Sequence, residues 1–170
     1  MPKKSAGLLL YRDLGWGLEV LLVHPGGPFW RNKDEGAWTI PKGEFEDEDP
    51  LAAAQREFRE ELGTSAPDGD YLELKPVKQK NSKTVYAWAV KGDFDPANLK
   101  SNTFSCEWPP SSGRMQEFPE VDRAEWFAPD TAKQKILAAQ VALIDQLIEF
   151  RQSPSARHLV YGHNDICSVR

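Results

Sequence analysis

Between Gly43 and Gly63 the chain reads GEFEDEDPLAAAQREFREELG, and its acidic residues recur at spacings that suit cation binding. Successive side chains of an α-helix turn by about 100°. Glu57, Glu60 and Glu61 therefore share one arc, while Leu51, Ala54, Phe58 and Leu62 line another that can face a core. Like charges at i,i+4 cost a helix a few tenths of a kcal/mol, and carboxylates converging in a cleft also raise one another's pKa. Hard cations such as Mg²⁺ or Mn²⁺ relieve that cost, because they prefer oxygen ligands and take carboxylates together with substrate phosphates. Arg56, four residues before Glu60, can hold its carboxylate by a charge-assisted hydrogen bond. On composition alone, a Glu-rich helix face is more often simply solvated. The neighbouring residues decide between the two.

The elements that must position this face are legible nearby. Asp49-Pro50 supplies a favoured N-cap and a proline at the first helical position, and Gly63 stands where a helix ends, so a helix is expected over Pro50–Leu62. Ser5 to Arg12 and Leu18 to Val23 are apolar runs across a Gly-containing turn, which predicts a β-hairpin. Trp38-Thr39-Ile40 is a short extended segment stopped by Pro41. Tyr71 to Lys80 and Lys83 to Val90 alternate as a strand pair, and Ala124 to Phe127 reads as a last short strand. Asn98 to Phe118 shows no periodicity and is expected as one long loop. Thr131 to Phe150 carries a helical stripe through Ile136, Leu137, Val141, Ile144, Leu147 and Ile148. Strands around one central helix, closed by a C-terminal helix, imply a mixed sheet packed between helices.

Composition bounds the rest. The 170 residues suit one domain, 1–150, followed by a tail, 151–170, without clear pattern or assigned role. A net charge of −5 disfavours non-specific binding to nucleic acid. No apolar run approaches the roughly 20 residues that span a bilayer, and the N-terminus lacks the features of a signal peptide. No membrane association is expected, and the cytoplasm is the default compartment. Cys106 and Cys167 do not form a disulfide framework, and His163 with Cys167 lacks the further ligands of a zinc site.

The segment from Gly43 closely resembles the Nudix box, G-x5-E-x7-R-E-U-x-E-E-x-G-U with U apolar. Arg56-Glu57-Phe58-Arg59-Glu60-Glu61-Leu62-Gly63 fits its second half at every fixed position, and Glu48 stands at the expected distance before Arg56. Three positions depart from it: the loop between Gly43 and Glu48 is one residue shorter, Asp47 replaces the customary Gly, and Thr64 holds the last apolar place. The resemblance implies an α/β fold, a Nudix-type α/β/α sandwich with a mixed sheet. It also implies a Mg²⁺- or Mn²⁺-dependent hydrolase cleaving a pyrophosphate bond in a nucleoside diphosphate derivative.

Carried over by position, Glu57, Glu60 and Glu61 would be metal ligands, with the Gly43 carbonyl as a further one. Arg56 and Glu48 would support the box, and the helix glutamates, Glu57 and Glu60 foremost, would take part in catalysis. Many family members place another Glu in the loop before the last strand, as metal ligand or general base; here Glu120 fits best and Glu117 is the alternative. Trp38-Thr39-Ile40-Pro41-Lys42-Gly43 resembles the W-x-x-P-K-G lead-in of diadenosine polyphosphate and diphosphoinositol polyphosphate hydrolases. It suggests a dinucleoside polyphosphate or a similarly phosphorylated small molecule, with Lys42 on a substrate phosphate and Arg31 and Lys33 as weaker candidates. Phe29, Trp30, Trp88, Phe104 and Trp108 are candidates for stacking on a base. The competing class is a non-catalytic Nudix module that binds a nucleotide and regulates a partner. Such modules typically lose a metal carboxylate, and this chain keeps all three.

Overall fold

The hairpin expected near the N-terminus is present in the computed structural model, which describes residues 2–152. β1 (Lys4–Asp13) and β2 (Leu18–Pro25) run antiparallel, with Tyr11 opposite Val20 and Asp13 opposite Leu18. Both strands are apolar on consecutive residues because both of their faces are covered. Leu8, Leu10, Leu21 and Val23 lie in one core layer, and Leu9, Val20 and Leu22 in the other.

β3 (Lys42–Phe45) pairs antiparallel with Lys4–Gly7, while β2 takes the Tyr11–Asp13 half of the same strand. The acidic loop thus starts from a strand rooted in the sheet. α1 (Pro50–Leu62) follows within the expected bounds. The Asp49 carboxylate accepts the Ala52 N–H at 3.1 Å, and Gly63 adopts φ 79° beyond the last turn. A cap of this kind stabilises a helix by about 1 kcal/mol. Ala53, Ala54, Phe58 and Leu62 are buried against the sheet, leaving the glutamates on another side of the helix.

β4 (Leu72–Glu73) and β5 (Val77–Lys78) both pair antiparallel with β6 (Thr84–Lys91), which runs parallel to β1. β9 (Val121–Phe127) closes the other edge against β2, giving the order β4-β6-β1-β2-β9 in a seven-stranded mixed sheet. α2 (Pro129–Lys135) and α3 (Val141–Gln152) contribute Ala132, Leu143, Ile144 and Leu147 to the core on the face away from α1. The result is the expected α/β/α sandwich.

Three expectations about elements need correction. Tyr71–Lys80 is not one strand: Pro76 has no N–H for the ladder, and the Lys75 backbone is held by the Gln146 amide, at 2.7 and 3.1 Å, between β4 and β5. Asn98–Phe118 is not a structureless loop, because β7 (Thr103–Glu107) and β8 (Met115–Pro119) form a hairpin within it. The stripe from Thr131 is not one helix. Its ladder is interrupted at Ile136 and Leu137, where the Trp38 N–H donates to the Lys135 carbonyl (3.0 Å) and the Leu137 N–H to the Trp38 carbonyl (2.8 Å). Apolar periodicity persists across the break because Ile136 and Leu143 enter the same core.

Among the described residues no helix is long and apolar enough to cross a membrane. α3 extends to Gln152, and the remainder of the tail, with His163 and Cys167, lies outside the described residues.

Candidate active site

The last two turns of α1 bring Glu57, Glu60 and Glu61 to the end of β3. The Arg56 guanidinium holds them to the preceding loop. Its Nε donates to both Glu48 oxygens at 3.0 Å and its Nη2 to Glu48 at 2.6 Å, while Nη1 donates to Glu57 (2.8 Å) and Glu60 (3.1 Å). These bonds keep Glu48 below the usual carboxylate range and Arg56 protonated. The loop shortened by one residue still closes onto the helix.

Glu57 is only 8% exposed and lies directly over Gly43, where a Cβ would overlap its carboxylate. The close approach explains the glycine: any side chain would push the carboxylate off β3. Glu61 is partly buried and accepts the Lys42 N–H at 3.1 Å. Burial pushes the Glu57 carboxyl up, opposed by Arg56 and reinforced by Glu60 and Glu120. Burial pushes Glu61 well above the ordinary range, against the pull of Lys42 and with Glu57 and Glu120 adding to it. Lys42 is shifted down, first by burial and then by the ammonium of Lys83.

Glu120 joins this group from a distant part of the chain. It sits at the junction of β8 and β9 and is held by a backbone relay. The Asn102 N–H donates to the Glu60 carbonyl (2.9 Å), the Glu120 N–H to the Asn102 carbonyl (2.8 Å) and the Gly26 N–H to the Glu120 carbonyl (2.9 Å). Its carboxyl is raised by burial and then by the charge of Glu60. Glu117 is not brought to this place: it is exposed on β8 and accepts a hydrogen bond from Thr103 at 3.3 Å.

The other candidates separate in the same way. Arg31 is exposed in the loop between β2 and β3 and makes no hydrogen bond or ion pair among the described residues. The Lys33 ammonium rests on the Trp30 ring, 4.9 Å from its centroid. Trp88 is buried in the core and so is not available to a base. Phe104 packs over Gly27, and Phe29 meets Trp108 edge-on at 5.5 Å with its own ring 61% exposed.

The donor set is all oxygen, three helix carboxylates beside the Gly43 backbone, and that chemistry fits a hard divalent cation. Among the described residues no group of three His, Cys, Asp or Glu side chains is closed into a ready metal cage. The geometry gives a reason, since Arg56 engages the oxygens of Glu57 and Glu60.

Spacing gives no sign of a second feature beside the glutamates. A cleft of about 710 Å³ is lined by Lys3, Lys80, Lys83, Trp30 and the Leu137–Ala139 turn. Lys83 binds Glu44 on β3 at 2.8 Å, so the cleft reaches β3 from the side of Glu44, whereas Glu57 lies over Gly43. In a chain of net charge −5, this gathering of lysines is a local reversal of sign. Lys3 and Lys83 are remote in sequence, and only the parallel pairing of β1 with β6 places them together.

No curated protein matches the chain. Among solved structures it is similar to a C. elegans Ap4A hydrolase in a binary complex, with 24% identity, a TM-score of 0.60 and coverage of 86% of this chain and 97% of that one. It is also similar to the NUDIX domain of Shewanella oneidensis NrtR complexed with ADP ribose, at 18% identity and TM-score 0.59, covering 90% of each chain. The MutT protein of Methanosarcina mazei Go1 gives 19% identity and TM-score 0.58 over 89% of this chain and 97% of that one. Likenesses at this identity establish the fold. The NUDIX domain model matches residues 1–147, and with the second half of the box carried on α1 the chain belongs to the NUDIX domain family of pyrophosphohydrolases.

Proposed function

We propose that this chain hydrolyses a pyrophosphate bond in a nucleoside diphosphate derivative bearing further phosphates, with a dinucleoside polyphosphate as the leading candidate. One observation carries the reading: Glu57 and Glu61 lie against Gly43 and Lys42 of β3, with Glu60 and Glu120 close enough to act on their charges. Glu57, Glu60, Glu61 and the Gly43 carbonyl would hold Mg²⁺ or Mn²⁺, which when bound polarises phosphoryl oxygens and activates water. Arg56 and Glu48 fix the helix carboxylates against β3. Glu120, whose carboxyl is raised by burial, would accept the proton from the water. Lys42 and the lysines of the cleft bind the phosphate chain as point charges, and Trp30 supplies an aromatic face beside them. Arg31 stands next to Trp30 in sequence and would reach only the outer end of a substrate. The likeness in fold to an Ap4A hydrolase and to a NUDIX domain complexed with ADP ribose supports a small nucleotide over a macromolecular substrate.

The test is a panel of dinucleoside polyphosphates, nucleotide sugars, ADP-ribose and nucleoside triphosphates with Mg²⁺ or Mn²⁺, products identified, for wild type and Glu60→Gln. Hydrolysis by wild type, reduced on the order of 10³-fold in the variant, is the expected result, within the range for one acid–base group. No hydrolysis of any compound, with equal binding by both proteins, would instead favour a nucleotide-binding regulatory module.

A further inference from the structure

His24 is fully buried and both of its ring nitrogens are engaged. Nδ1 lies 2.7 Å from Asp122 Oδ1, and Nε2 lies 2.6 Å from the Lys33 carbonyl. The ring also stands edge-on to Trp38 at 5.2 Å. A side chain so enclosed cannot touch a substrate. Its two bonds nevertheless reach the two segments that flank the acidic centre, the loop between β2 and β3 and the start of β9.

Asp122 is the extra residue of a β-bulge. His24 pairs with Arg123 and Pro25 pairs with Val121, so Asp122 has no partner in the ladder. Strict alternation would put Asp122, two residues before Ala124, in the core layer of Ala124. Instead Val121 and Ala124, three apart, are both buried in that layer, while Asp122 and Arg123 face outward. A bulge shifts everything beyond it by one residue. Here the shift sets Glu120 opposite Gly26, whose N–H binds the Glu120 carbonyl at 2.9 Å. Gly26 admits this approach because it has no Cβ, which would overlap the Pro119 carbonyl. Arg123 lies 4.0 Å from Asp122 at the exposed side, so the short bond to His24 is the one that fixes the bulge from within.

We propose that His24 is a positioning residue for Glu120: through Asp122 it pins the bulge that sets the register of the candidate base, and through Lys33 it pins the loop carrying Trp30. The inference rests on Glu120 acting as base, and the test separates the two. His24→Asn keeps an amide group near the Nδ1 position and has none to reach Lys33; His24→Gln does the reverse. On the fastest-cleaved compound of the panel, His24→Gln and Asp122→Ala lower kcat about 10- to 100-fold, the scale of a misplaced catalytic group, with KM within about twofold. Asp122→Asn, which keeps an acceptor oxygen, restores kcat to within about threefold of wild type, and His24→Asn does the same while raising KM.

The decisive measurement is a double-mutant cycle. If His24 acts through Glu120, His24→Gln adds no further loss in a Glu120→Gln background. Losses that multiply, or equal kcat losses for His24→Asn and His24→Gln, overturn the positioning role and leave the base assignment standing. A Glu120→Gln enzyme as fast as wild type removes the base assignment itself, and the positioning role falls with it.

Discussion

Glu57, Glu60 and Glu61 reach the acidic centre on consecutive turns of one capped helix, whereas Glu120 reaches it from beyond a separate two-stranded hairpin. The helix half is set by local rules. Its register follows from 3.6 residues per turn, its ends from Asp49 and Gly63, and its depth from Phe58 and Leu62 against the sheet. The hairpin half has little core of its own: β7 and β8 alternate only between exposed and half-buried residues. Its position comes from single bonds at its ends, Asn102 to Glu60 and Gly26 to Glu120, and from Phe104 over Gly27. One half is held by buried area and the other by a few directional contacts. Perturbing the first should cost mainly stability, and perturbing the second mainly rate.

The largest effect that would sharpen this contrast is Phe58→Ala. Its ring is 1% exposed in the α1 layer, so urea denaturation should show a loss of about 3–5 kcal/mol, the usual range for deleting a buried aromatic. A loss below about 1 kcal/mol would mean that α1 is not anchored by its apolar face. Phe104→Ala should behave in the opposite way. Its half-buried ring should contribute no more than about 1 kcal/mol to global stability, yet its removal should slow turnover several-fold by loosening the segment that leads to Glu120. Unchanged kcat with a large fall in stability would reverse the comparison.

A smaller effect concerns pH. Burial raises the Glu57 and Glu61 carboxyls in the folded chain. The folded state then holds their protons more tightly than the unfolded one, where a glutamate titrates near about 4.3. Their contribution to stability is fully present below that value and is lost as pH rises through the folded pKa. A bound cation offsets the loss, so the rise in Tm on replacing EDTA with saturating Mg²⁺ should be a few degrees larger at about pH 8 than at about pH 5.5. Equal shifts at both pH values would mean that these carboxylates do not face the cation.

The structure also shows why some elements were hidden from spacing. The β7–β8 hairpin was masked because the alternation of Phe104 and Cys106 with Thr103, Ser105 and Glu107 spans only five residues, and its partner Met115–Pro119 shows none. The break between α2 and α3 was masked because Ile136 and Leu137 stay apolar while the Trp38 backbone takes the bonds of the Lys135 carbonyl and the Leu137 N–H. Pro76 stands at the division of β4 from β5, and the expectation of one strand over Tyr71–Lys80 passed over it, although a proline within a run demotes it as a strand. His24 gave no signal at all. A lone histidine at the end of an apolar strand takes its meaning from Asp122, across a strand pairing.

The sequence by itself determined α1, its caps, its acidic register and the family, because a helix, its ends and a box of fixed spacing are all short-range properties. It also showed β1 and β2 as apolar runs of a hairpin, while their cover on both faces came from the packing of α1 on one side and α2 and α3 on the other. Only the tertiary structure decided that Glu120 and not Glu117 joins the helix glutamates, and that Lys3, Lys80 and Lys83 share one cleft. The physical reason is common to both. These placements depend on strand register, on a bulge at Asp122 and on a parallel pairing of β1 with β6, and each is fixed by contacts between residues far apart in the chain.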